Sequence, residues 1–155
     1  MIKADVFVAN KNWKKHIKAP NLYINKKLRK ISKKVSMLKK NNFNFSILLA
    51  GDNEVKKLNK KFRKRNKTTD ILSFPFHEKN ALNILLRKKK IQIYLGDIII
   101  NLNKMTPKIQ DNFFFLNFDK IWIHGLTHLL GYRHKSNHDF SKMRKIENKL
   151  INFSK

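Results

Sequence analysis

The chain has 155 residues, with 36 Lys+Arg against 10 Asp+Glu and a formal charge of +26. That length predicts one domain over residues 1–155, large enough to bury a core without staples. The absence of cysteine excludes disulfides and thiolate metal ligands. A bias this large draws polyanions: RNA, DNA or an anionic membrane surface. Abundant Lys, Asn, Ile and Phe are also what an A/T-rich coding sequence gives. That origin does not account for the shortage of acids, which tips the balance toward a nucleic-acid partner. The N-terminal MIKADVFVAN lacks the apolar run and cleavage site of a signal peptide. The longest apolar stretches, such as Ile98 to Ile100 and Phe113 to Leu116, fall far short of the ~20 residues a membrane span needs. A soluble cytoplasmic protein is expected.

In chain order, residues 3–9 read as a strand. Residues 21–40 carry Leu22, Ile24, Leu28, Ile31, Val35 and Leu38 at helical spacing. Asn42 to Ala50 is a second strand, followed by a turn at Gly51-Asp52. Asp52 is placed to cap a helix with Val55, Leu58 and Phe62 on its inner face. A basic loop, Arg63 to Lys67, leads to a short strand, Asp70 to Phe74, stopped by Pro75. The segment 80–90 ends in a basic run and reads as a mobile excursion. Ile91 to Ile100 is a strand containing Gly96-Asp97. Helices follow near 101–115 and 118–130, the second broken by Gly131. A last helix over 138–151 turns Met143, Ile146 and Leu150 inward. Phe113 to Phe115 and Phe118 are expected in the core. This order predicts an α/β (α+β) fold, one small mixed β-sheet covered by helices.

Residues 124–134 read HGLTHLLGYRH. On a zincin-like ligand helix, His124 and His128 leave the same face one turn apart. Two imidazoles so placed can reach one cation at about 2.0–2.1 Å each. Gly131 can take a positive φ and end the helix, so that His134 turns back toward the same ion. Three protein ligands leave a position for water, the mark of a catalytic site. Zinc is the expected ion, although three imidazoles also suit nickel, copper or iron. Of the remaining histidines, His16, His77 and His138 have no such partners. They read as surface or loop residues, with His138 near enough to support a ligand.

The spacing is also that of the metzincin signature H-E-x-x-H-x-x-G-x-x-H. Gly125 stands where that signature needs its general-base glutamate, and glycine cannot accept a proton. No other carboxylate is near in sequence, and Arg133 adds positive charge. A metal with cationic surroundings and no adjacent base suits an anionic substrate such as a phosphodiester.

HGLTHLLGYRH resembles the H-G-x-L-H-L-x-G-Y-D-H signature of the YbeY family of bacterial endoribonucleases and rRNA maturation factors. NKKFRKRNKTTDILSFPF, Asn59 to Phe76, is similar to the family's arginine followed by T-D-V-L-S-F-P. Leu95 to Ile99, LGDII, is similar to its L-G-D-I strand, and Met143 and Glu147 fit its C-terminal helix. The resemblance covers about residues 40–150. It implies a zinc-dependent, single-strand-specific endoribonuclease with one zinc ion per chain. Such an enzyme acts in 3′-end maturation of small-subunit (16S) rRNA and in ribosome quality control. It implies His124, His128 and His134 as zinc ligands, and Arg63 as the arginine that engages the RNA backbone. Thr127 departs from the family leucine, which loosens packing. Arg133 departs from an aspartate, which leaves the general base unassigned.

Two other readings stand beside this one: a small-subunit assembly factor whose zinc is structural, and a metal-dependent hydrolase of peptides or other small substrates. Ser73 reads as a strand-end hydroxyl bonded to the backbone, with substrate contact the alternative. Asp70 and Asp97 are turn or strand-end carboxylates that could support a ligand histidine. The lysines over 56–67 and 88–90 form a solvated face or an RNA track.

Overall fold

The computed structural model describes residues 1–88, 91–105 and 111–155. Segments rich in β-branched and aromatic residues form four strands. These are β1 (Ile2–Val8), β2 (Asn42–Ala50), β3 (Ile71–Pro75) and β4 (Gln92–Asn101). They make one sheet in the order β1-β2-β4-β3. The first three in that order run parallel, and β3 pairs antiparallel with β4 on the outer edge. This is the mixed sheet that the element order predicts.

The helices are α1 (Pro20–Lys34), α2 (Ser36–Lys40), α3 (Asp52–Arg63), α4 (Lys79–Arg87), α5 (Leu102–Met105), α6 (Asp111–Leu129) and α7 (Asn137–Ser154). Alternation along β4 divides the layers. Ile98 and Ile100 join the main core with Ile24 and Leu28 of α1, Trp122 and Leu126 of α6, and Leu150 of α7. Ile99 faces the other way and meets Ala50, Leu72 and Val55 of α3 in a smaller cluster.

Asp119, buried on α6, ties α1 into this layer. Its carboxylate accepts from Tyr23 at 3.1 Å and from Trp122 Nε1 at 3.0 Å, and pairs with Lys27 Nζ at 2.7 Å. Burial and the adjacent Asp119 push the Tyr23 hydroxyl well above its usual range, so it stays a donor. No helix among the described residues is long and apolar enough to cross a membrane.

Several local expectations change. The helix predicted over 21–40 breaks at Val35, which is extended at φ −109°, ψ 107°. The break redirects the chain so that α2 packs on β2 and buries Leu38. The segment 80–90 contains α4, whose buried Leu82 and core-packed Leu85 and Leu86 have helical spacing. The end of its basic run, 89–90, lies outside the described residues, as do residues 106–110 of the helix predicted over 101–115.

Phe114 and Phe118 are buried, but Phe113 and Phe115 are exposed, because consecutive residues on a helix leave in different directions. Phe62 is also exposed, its ring 5.5 Å from that of Phe74. Asp52 is the first residue of α3 and does not cap it; Glu54 Oε2 accepts the Gly51 N–H instead.

Candidate metal centre

α6 buries Trp122, Ile123, Leu126 and Leu129 and leaves His124 and His128 half-buried on its remaining face. Their Nε2 atoms are 3.1 Å apart. The helix ends in a Schellman motif. Gly131 takes φ +86°, its N–H donates to the His128 carbonyl, and the Tyr132 N–H donates to the Thr127 carbonyl. This reversal returns His134, and one nitrogen from each of the three histidines lies within 4.8 Å of the others.

The partners of the other ring nitrogens assign the tautomers. His128 Nδ1–H donates to the Tyr132 carbonyl at 3.2 Å, and His124 Nδ1–H donates to Glu147 Oε1 at 2.6 Å. Both Nε2 atoms are then lone-pair donors aimed at one another, an arrangement that a shared cation satisfies. Burial, with the neighbouring His124 and His134, pushes His128 down to about 4, so it stays unprotonated at neutral pH. Burial raises the Glu147 carboxyl, but the hydrogen bonds from His124 and Thr127 outweigh this and hold it below the usual carboxylate range. A ligand imidazole oriented by a carboxylate is the usual support of a metal site. The three-histidine group could hold a metal ion.

Glu147 comes from α7, 23 residues beyond His124. Sequence separation hid it, although its place in the last helix was the available signal. Asp70 and Asp97 do not fill this role. Asp70 accepts from Thr69 and from the Ile71 N–H, and Asp97 accepts from Tyr94. Thr127 does more than pack. Its hydroxyl lies 2.7 Å from the His124 carbonyl and 3.3 Å from Glu147 Oε1, so it touches the carboxylate that orients His124. Arg133 points away to Glu78, 3.4 Å off in an exposed pair.

Gly125 is closely packed as well as a missing base. A Cβ there would meet Ile98 Cδ1 at 2.9 Å and Ile71 Cδ1 at 3.0 Å.

Arg63 is the last residue of α3. It reaches the edge strand, where Nη2 donates to the Ser73 carbonyl at 2.9 Å and the guanidinium stands 5.4 Å from the Phe74 ring centroid. The Ser73 hydroxyl is buried and has no partner among the described residues, against the expectation that it bonds the backbone. His16 stacks on Phe114 at 4.6 Å, His77 meets Phe76 edge-on at 5.0 Å, and His138 is exposed. A cleft of about 700 Å³ opens beside His124 and Glu147 between α6 and α7, with Asp70 at its margin. Arg63 is not among the described residues that line it.

A mixed sheet carrying a helix with two histidines, joined by a third from the turn beyond it, defines a class: an α+β protein with a zincin-like candidate metal centre. The comparisons narrow that class. The family profile described as Endoribonuclease YbeY matches residues 7–155. An endoribonuclease YbeY of Pelagibacter ubique is 42% identical over 160 residues, covering 100% of this chain and 97% of that protein. One of Buchnera aphidicola subsp. Schizaphis graminum is 34% identical, covering 96% and 88%. A solution structure of a Thermotoga maritima protein superposes with TM-score 0.59 at 20% identity, over 99% of this chain and 89% of that one. The chain belongs to the YbeY endoribonuclease family.

Proposed function

We propose that this protein is a zinc-dependent endoribonuclease that cuts single-stranded RNA, acting in the cytoplasm on the 3′ end of small-subunit (16S) rRNA and in ribosome quality control. The observation that carries the reading is the convergence of His124, His128 and His134, the Nε2 atoms of the first two 3.1 Å apart, in a chain of an endoribonuclease family.

His124, His128 and His134 would hold one zinc ion. When bound, that ion supplies Lewis acidity toward a phosphoryl oxygen and acidifies a water. Glu147 keeps His124 in the ligating tautomer, and the Tyr132 carbonyl does the same for His128. Arg63 keeps N–H donors beyond the one given to Ser73, which suit a backbone phosphate. Gly125 speaks against peptide hydrolysis, because it supplies no general base, and a side chain there would press on Ile98 and Ile71.

The test pairs metal analysis of freshly purified protein with cleavage of single-stranded and duplex 16S 3′-end RNA. Single-strand cleavage that disappears with chelator and returns with zinc supports the reading. Equal rates with and without metal defeat it. Normal rRNA 3′ ends in cells carrying only His128→Ala would favour the assembly-factor role instead.

A further inference from the structure

The cleft beside His124 has two helical walls. Lys120 lies four residues before His124 on α6, so both side chains leave the same face about 6 Å apart along the axis. Arg144 lies three residues before Glu147 on α7, again on one face. Since Glu147 is hydrogen-bonded to His124, the two cations flank that pair, each within about one helical turn of it. Both are exposed, and neither is within ion-pair distance of a carboxylate among the described residues. Phe140, one turn before Arg144 on the same stripe, is 54% exposed on the same cleft.

Unpaired cations beside a site suited to a metal cation raise the local positive potential. Cleft walls focus that potential onto an anion. A polyanionic strand offsets the repulsion, and an exposed aromatic ring among phosphate-binding cations is the makeup of a single-strand platform. We propose that Lys120 and Arg144 clamp backbone phosphates and that Phe140 stacks on an adjoining base, seating single-stranded RNA beside the three histidines. The inference rests on the reading of the chain as an RNA-cutting enzyme and names its substrate-positioning residues.

The test measures anisotropy of a fluorescein-labelled oligouridylate on zinc-loaded full-length protein over a salt series. Three variants are compared with wild type. Lys120→Ala/Arg144→Ala removes the clamp, and Phe140→Ala removes the ring. Lys33→Ala/Lys34→Ala removes the same two charges from the exposed end of α1. The clamp pair is expected to weaken binding at least tenfold and to flatten the slope of log affinity against log salt by about 1.4, the value for two lost single-strand contacts. Phe140→Ala weakens binding about fivefold or more. The control pair stays within about twofold, and zinc content is unchanged in all three.

In cleavage assays the clamp pair raises KM with kcat nearly unchanged. If the clamp and control pairs lose affinity equally, total charge alone binds RNA and the clamp is refuted, even where metal-dependent cleavage by wild type holds. If wild type fails to cut RNA while the clamp pair alone loses binding, the clamp stands and the enzymatic reading falls.

Discussion

Glu147 and His124 share the shortest polar contact of the centre, 2.6 Å, and Thr127 stands against the same carboxylate oxygen. Replacing Glu147 by Ala frees the His124 ring to rotate and to change tautomer. Zinc affinity should then fall about 10–100-fold, measured by competition with a chromogenic chelator. His128→Ala removes a proposed ligand and should bring bound zinc from about one per chain to near zero by elemental analysis. Gly125 gives a different residue-scale result. Gly125→Glu restores the protease pattern, yet its side chain would drive into Ile98 and Ile71. Overpacking and a buried carboxylate together should cost at least ~3 kcal/mol in denaturant unfolding, with no gain of peptidase activity.

Two polar networks position the elements. Asp119 anchors α1 to α6 through Tyr23 and Lys27 while holding Trp122 within α6. Asp119→Ala strands Lys27 without its partner and should destabilise the fold by ~3 kcal/mol in urea. Asn101, fully buried at the end of β4, shares the two N–H groups of its Nδ2 among Asp52 Oδ1 at 2.8 Å, Thr68 Oγ1 at 2.8 Å and the Thr69 carbonyl at 2.9 Å. It thereby fastens the start of α3 to the segment entering β3. Hydrogen bonds from Asn101 and Thr68 hold the Asp52 carboxyl below its ordinary 3.8. A carboxyl with a depressed folded value adds stability that is present above the unfolded value and lost as pH falls through the folded one. As pH falls below about 3.8, wild type should therefore lose stability faster than Asp52→Asn, as followed by chemical denaturation.

Gly96 shows an element-scale constraint that the LGD triplet alone does not explain. It takes φ +128° at a bulge in the β2–β4 pairing, and a Cβ there would stand 2.1 Å from the Phe74 carbonyl oxygen. The extra residue shifts the alternation so that Ile98 and Ile100 meet the main core.

At the scale of the whole molecule, the proposed zinc site would link metal binding to folding. Zinc at 100 times its Kd should add about 2.7 kcal/mol and raise Tm by roughly 5–10 °C, an increment absent in His128→Ala. The sequence by itself determined the mixed sheet, the ligand helix and the three histidines. These features depend on spacing: a period of two for strands, one turn between His124 and His128, and a glycine at the reversal. It also excluded a protease base at Gly125. Tertiary structure decided the rest. Glu147 is remote in the chain from the histidine it orients, so no local pattern could pair them. The Phe113 to Phe115 run divides between core and surface because Phe114 packs against Trp13 and Phe118 while its neighbours leave the helix in other directions. Arg63 and the histidines, both marked by motif, occupy separate elements, and the cleft beside His124 is walled by α6 and α7 instead. Spacing fixes which side chains share a face of one element, while packing between elements chooses which faces meet.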